Sequence, residues 1–101
     1  MNKQDNTMIS IKIKSLMRFA ELLGKNEQIL YFKENSSVAD IIESLKERYG
    51  DEFSRLLNHY NKENFRIKFC LNGRDTDFLN GMDTICQDGD ELLLWIPLGG
   101  G

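Results

Sequence analysis

At 101 residues, with a net charge of −3, 41% hydrophobic and 29% charged residues, the chain has the size and composition of one globular domain with a single modest core. It carries no apolar run long enough to span a bilayer, no Lys/Arg cluster of the kind a phosphate backbone demands, and a polar start without a secretory hydrophobic segment, so neither membrane nor nucleic acid is an expected partner and the cytoplasm is the expected compartment. Cys70 and Cys86 are separated singletons and His59 stands alone, which leaves no ligand set for zinc or an iron-sulfur cluster and no paired nucleophile and base; the cysteines read as packing residues and His59 as a surface residue.

In chain order, residues 1–8 form a polar lead expected to lack order, residues 9–97 the folded domain, and residues 98–101 a flexible glycine tail. Residues 9–14 alternate apolar and polar with period two and predict a half-buried strand. Residues 16–23 are apolar with less clear periodicity and predict a loop or single helical turn, followed by a second strand over 28–32. Ser37 with Asp40 three residues on is a capping-box start for a helix whose Val38, Ile41, Ile42, Leu45 and Tyr49 share one face, with Gly50 as its C-cap. Phe53, Leu56, Leu57 and Tyr60 repeat that spacing weakly and predict a short second helix. Residues 65–71 alternate again and run into Asn72-Gly73, a strong hairpin signal, so residues 74–78 are expected to return as a brief strand. Asp88-Gly89-Asp90-Glu91 reads as a tight turn before the last strand, with a cation site as the alternative reading of its carboxylates. The order strand, strand, helix, strand, short strand, strand predicts an α+β fold, the ubiquitin-like β-grasp, with a mixed sheet packed on one main helix.

The last strand ends in Pro97-Leu98-Gly99-Gly100-Gly101. Pro97 holds its predecessor extended and withdraws a donor from the ladder, so the sheet stops there. Three glycines without a Cβ can be drawn into a slot too narrow for any other residue, and residues 97–101, fully extended, reach roughly 16 to 18 Å. A working backbone carboxylate at Gly101 is one reading of this tail; a frayed terminus or a cloning scar is the other.

Several segments together resemble a known family. Leu71-Asn72-Gly73-Arg74-Asp75, Phe78-Leu79-Asn80-Gly81-Met82-Asp83-Thr84, and Asp88-Gly89-Asp90-Glu91 followed by a strand, Pro97 and Gly100-Gly101 are similar to the MoaD/ThiS family of sulfur carriers, with the nearer likeness to the small subunit of molybdopterin synthase. Ala20-Glu21-Leu22-Leu23-Gly24 and Ser37-Val38 extend the resemblance thinly toward the start. It implies that an E1-like adenylyltransferase of the MoeB/ThiF kind uses ATP to convert the Gly101 carboxylate into an acyl adenylate, and that a sulfur donor protein then supplies the sulfur of a thiocarboxylate. This chain would bind no cofactor itself. A molybdopterin synthase large subunit, MoaE-like, would hold the pterin phosphate in the basic pocket that an acidic chain does not offer. The same resemblance admits sulfur carriers for thiamine or tRNA thiolation and a ubiquitin-like modifier conjugated through Gly101.

Strand parity adds a docking expectation. Leu92, Leu94 and Ile96 share one face of the last strand while Leu93 and Trp95 share the other; in the first strand Ile9, Ile11 and Ile13 point inward and Ser10, Lys12, Lys14 and Leu16 outward. The resemblance places Leu16, Leu79 and Trp95 on partner-contact positions, and Pro97, Leu98 and Gly99, which lead to Gly100 and Gly101, are expected to bind the partner as well. Trp95 is therefore expected to be substantially exposed in an apolar patch with Leu16 and Leu79, the alternative being that it belongs to the core.

Overall fold

The computed structural model describes residues 7–15, 18–62 and 67–95. Alternation in the first strand, β1 (Met8–Ser15), puts Ile9, Ile11 and Ile13 on one face, all buried. It pairs antiparallel with β2 (Glu27–Lys33) in a register that sets Ile11 opposite Leu30. Between them lies α1 (Arg18–Leu23), a six-residue helix where the sequence predicts a loop or single turn. Its Phe19 is fully buried, and that burial is what turns an irregular apolar stretch into a helix.

The main helix, α2 (Val38–Tyr49), starts at the predicted capping box: the Asp40 N–H donates to Ser37 Oγ at 3.1 Å while the Ser37 N–H donates to Asp40 Oδ2 at 3.0 Å. Its Val38, Ile41, Ile42 and Leu45 are buried against the sheet. The Gly50 N–H closes the helix onto the Lys46 carbonyl at 2.8 Å. The following helix, α3 (Asp51–Lys62), runs for 12 residues rather than the short piece expected. Its Phe53 is fully buried and meets the Phe19 ring at 5.9 Å in a tilted arrangement, a favourable aromatic geometry that ties α1 to α3.

Strand β3 (Lys68–Leu71) and the two-residue β4 (Arg74–Asp75) form the predicted hairpin. Asn72 and Gly73 both have positive φ, 53° and 83°, the conformation a two-residue hairpin turn of matching twist requires. The strand expected over residues 74–78 stops at Asp75 because that side chain accepts from the Asp77 N–H at 2.9 Å, starting a 3-10 turn over Thr76–Phe78. A second 3-10 turn, Gly81–Asp83, precedes β5 (Glu91–Trp95). The sheet order is β2-β1-β5-β3-β4, with β1 and β5 parallel and every other pair antiparallel. This is the expected mixed β-grasp sheet, carrying three helices. Among the described residues no helix is long and apolar enough to cross a membrane.

Phe53 anchors two helices at once, so it is the sharpest probe of this core. Phe53→Ala is expected to lower the unfolding free energy by about 3–5 kcal/mol in urea titrations followed by circular dichroism, a large share of what a domain of this size possesses.

Candidate functional site

The candidate site is the tail beyond β5, so its geometry begins with what holds β5. Gly89 turns with φ 87°, a conformation that suits a residue without a Cβ, and its N–H donates to the Ser10 carbonyl at 2.8 Å. Asp88 Oδ1 accepts from both the Ser10 N–H at 2.7 Å and the Ser10 hydroxyl at 3.0 Å. Asp90 Oδ2 accepts from the Gln87 N–H at 2.7 Å, and its Oδ1 from Asn72 Nδ2 at 3.0 Å. The Asn72 side chain completes the knot, its Oδ1 accepting from the Glu91 N–H at 2.9 Å. One turn therefore clamps β5 between β1 and the β3–β4 hairpin.

These bonds are those of a tight turn. Donors of the chain itself occupy the Asp88 and Asp90 carboxylates, and among the described residues no group of three or more His, Cys, Asp or Glu could hold a metal ion. The Ser10 backbone N–H, then its hydroxyl, hold the Asp88 carboxyl below its usual range, because they stabilise the charged form.

On β5 the parity is as the sequence predicts: Leu92 and Leu94 are fully buried, while Glu91, Leu93 and Trp95 face the side away from the helices. Register places Leu93 opposite Lys14 and Cys70, and Trp95 opposite Lys68. Trp95 is half-buried rather than substantially exposed, which corrects the docking expectation without moving it into the core. Its indole N–H donates to Cys70 Sγ at 3.4 Å, so the ring lies over the neighbouring strand, where the sequence offers no hint that Cys70 would receive it. Leu79 is half-buried and packs against the core. The Asp75-initiated 3-10 turn rolls it inward and sends its neighbour Phe78 out to 84% exposure. Leu16, Ile96, Pro97, Leu98, Gly99, Gly100 and Gly101 lie outside the described residues.

The charges beside Trp95 are paired. Lys68 Nζ sits 3.0 Å from Asp75 and 3.4 Å from Asp77; its pKa is raised, chiefly by the hydrogen bond to Asp75. The Asp77 N–H, then Lys68, hold the Asp75 carboxyl below its usual range. Lys14 pairs with Glu91 at 3.5 Å. Cys86 is buried in the core, and burial pushes its thiol up to about 11, so it stays protonated at neutral pH and is no nucleophile. The arrangement presents a central strand, a half-covered indole and a neutralised surround.

A model of the ThiS family matches residues 16–101. Small archaeal modifier protein 3 of Haloferax volcanii is 25% identical over 93 residues, covering 92% of this chain and 100% of that protein. Among solved structures, small archaeal modifier protein 1 from Methanosarcina acetivorans is similar with a TM-score of 0.68 at 25% identity, over 94% of this chain and 99% of that one. A putative molybdopterin converting factor, subunit 1, from Pyrococcus furiosus is similar with a TM-score of 0.67 at 23% identity, over 89% of this chain and 99% of that one; at that identity the likeness speaks for the fold.

The clamp on β5 has a pH signature. A carboxyl whose folded pKa is depressed stabilises the fold above its unfolded value and loses that contribution as pH falls through the folded value. Asp88→Ala is therefore expected to lower the melting temperature at neutral pH, with the gap to the unmodified chain narrowing as pH drops below about 3.9. Thermal melts at a series of acidic pH values check this; a gap independent of pH would mean the loss comes from something other than the charged carboxylate.

Proposed function

Because the chain belongs to the ThiS family of ubiquitin-like sulfur carriers and modifiers, we propose that Gly101 carries its working group, a carboxylate activated by a partner enzyme and converted to a thiocarboxylate. The observation that carries this reading is the family match that runs through residue 101, in a chain whose preceding strand is held at the centre of the sheet. A free carboxylate is a poor electrophile. An E1-like enzyme would join the Gly101 carboxylate to the α-phosphorus of ATP with loss of pyrophosphate, and the resulting acyl adenylate has AMP as a good leaving group. The terminal sulfur of a donor protein's persulfide would then displace AMP, and a thiol would cleave the resulting acyl disulfide, forming a disulfide with the donor's sulfur and leaving a thiocarboxylate, a soft nucleophile at the end of three glycines with no side chains to obstruct delivery. The chain contributes the carrier, and its partners contribute the acids, bases and substrate pocket.

In the reading we favour, the sulfur passes to a molybdopterin precursor bound by a MoaE-like large subunit, which makes this chain the small subunit of a sulfurtransferase. A second reading has support of its own: the relative and one of the similar structures are named modifier proteins, and an activated Gly101 attacked by a target lysine amine would give an isopeptide. A carrier for tRNA thiolation or thiazole synthesis shares every step up to the acceptor. Mass spectrometry of the chain recovered from cells separates the classes, since sulfur in place of oxygen at Gly101 marks a carrier and a branched peptide ending in Gly101 marks a modifier. Copurification with a molybdopterin synthase large subunit, rather than another acceptor enzyme, distinguishes the carriers.

Two variants test these roles. Deleting Gly101, or replacing Gly100 with a bulky residue, is expected to abolish ATP-dependent pyrophosphate release with the activating enzyme or the later transfer, while leaving the melting temperature nearly unchanged; sulfur transfer by a chain lacking Gly101 would sink the carrier reading. Trp95→Ala is expected to leave a folded chain whose affinity for its partner enzyme, measured by calorimetry, falls by more than ~1 kcal/mol, as removal of an aromatic anchor should. Unfolding of that variant would instead assign Trp95 to the core.

A further inference from the structure

Strand β2 forms one edge of the sheet, pairing with β1 alone among the described strands. The Ser15 N–H donates to the Asn26 carbonyl at 2.9 Å and the Glu34 N–H to the Thr7 carbonyl at 3.1 Å. In an antiparallel ladder the bonding direction alternates, so these two bonds fix the phase. Gln28, Leu30 and Phe32 turn their backbone groups toward β1, while Glu27, Ile29 and Tyr31 turn theirs, and Lys33 its N–H, to the open side; the Lys33 carbonyl accepts from the Ser36 N–H at 3.2 Å and the Ser36 hydroxyl at 2.7 Å. The same four residues place their side chains on the face away from the helices, where Ile29 is 55% and Tyr31 62% exposed.

From this edge we propose that two copies of the chain associate through β2, antiparallel about a two-fold axis at Leu30, into one continuous ten-stranded sheet. That register sets Glu27 opposite Lys33 of the second copy and Ile29 opposite Tyr31, and each pair recurs by symmetry because the patch is self-complementary. The two Ile29–Tyr31 pairs are of the kind that exchanges both ladder bonds, and in each Glu27–Lys33 pair the Lys33 N–H donates to the Glu27 carbonyl while the Lys33 carbonyl stays with Ser36. A register shifted by one residue would oppose inward-turned groups; one shifted by two would break the charge match. The charges at the strand ends, which on a solitary edge read as guards against pairing, become in this register the attraction that selects it. Glu27 also lies 3.5 Å from Lys12 of its own chain, with both side chains well exposed, an ion pair weak enough to share its carboxylate. Because β1 separates β2 from β5, the dimer leaves both copies of β5 clear of the interface.

The register makes a pairing code that can be read in solution. Sedimentation equilibrium of the full chain from micromolar to millimolar concentration is expected to show a monomer-dimer equilibrium, with amide exchange of Ile29, Tyr31 and Lys33 slowing as the dimer fills. Glu27→Lys opposes two lysines at both ends of the interface and Lys33→Glu opposes two glutamates, so each variant alone should dimerise roughly tenfold more weakly. Mixed in equal amounts, the two variants should pair with each other at least as tightly as the unmodified chain with itself, although both remain net acidic; melting curves confirm that each is folded. A chain that stays monomeric to millimolar concentration, a dimer indifferent to both substitutions, or a mixture no tighter than its components overturns the proposal.

Discussion

The parallel pairing of β1 with β5 is the constraint on which the rest depends. Two strands far apart in sequence must lie side by side in the middle of the sheet, and their ladder joins Lys12–Ser15 to Glu91–Leu94. Parallel neighbours cannot be joined by a tight turn, so the intervening chain has to cross over the sheet. Here α2 and α3 make that crossing, and their apolar faces become the cover of the core. Burying Ile11, Ile13, Leu92 and Leu94 completely is therefore the same event as placing β5 at the centre.

What fixes β5 in register is polar and sits at the rim. Side chains of Asp88, Asp90 and Asn72 accept from the backbone N–H groups of Ser10, Gln87 and Glu91 at 2.7–2.9 Å, and Asn72 Nδ2 donates to Asp90 Oδ1 at 3.0 Å. The apolar core rewards any register that buries the right parity, and a slip of two residues would preserve parity. The side-chain bonds at the turn are specific to one alignment. A slip would move the end of β5 by about two residues, roughly 7 Å along the strand.

The outer face of the sheet carries charge that is mostly neutralised. Lys14 pairs with Glu91, Lys12 with Glu27, and Lys68 with Asp75 and Asp77. Exposed pairs of this kind add little stability. Their effect is on recognition: with the cations matched, the surfaces that stand out are apolar, namely Leu93 and Trp95 toward one side and Ile29 with Tyr31 toward the other. The first group adjoins the strand that leads to the tail, and the second lies on the open edge.

The elements carried by local patterns were legible in the chain itself. Period-two alternation marked β1, a capping box and one apolar stripe marked α2, and Asn72-Gly73 marked the hairpin. These features depend on neighbours in sequence, so sequence sufficed. Tertiary structure decided the rest. The stretch 18–23 became α1 because Phe19 found Phe53 some thirty residues away; the strand after Gly73 ended early because Asp75 was free to cap a turn while binding Lys68. Alternation told which face Trp95 takes, but its half-burial came from Cys70 lying across the ladder. Which strand would be left as an edge, and with which backbone groups outward, depended on pairing alone. A pattern in sequence states which faces are apolar; only the assembled sheet states what each face meets.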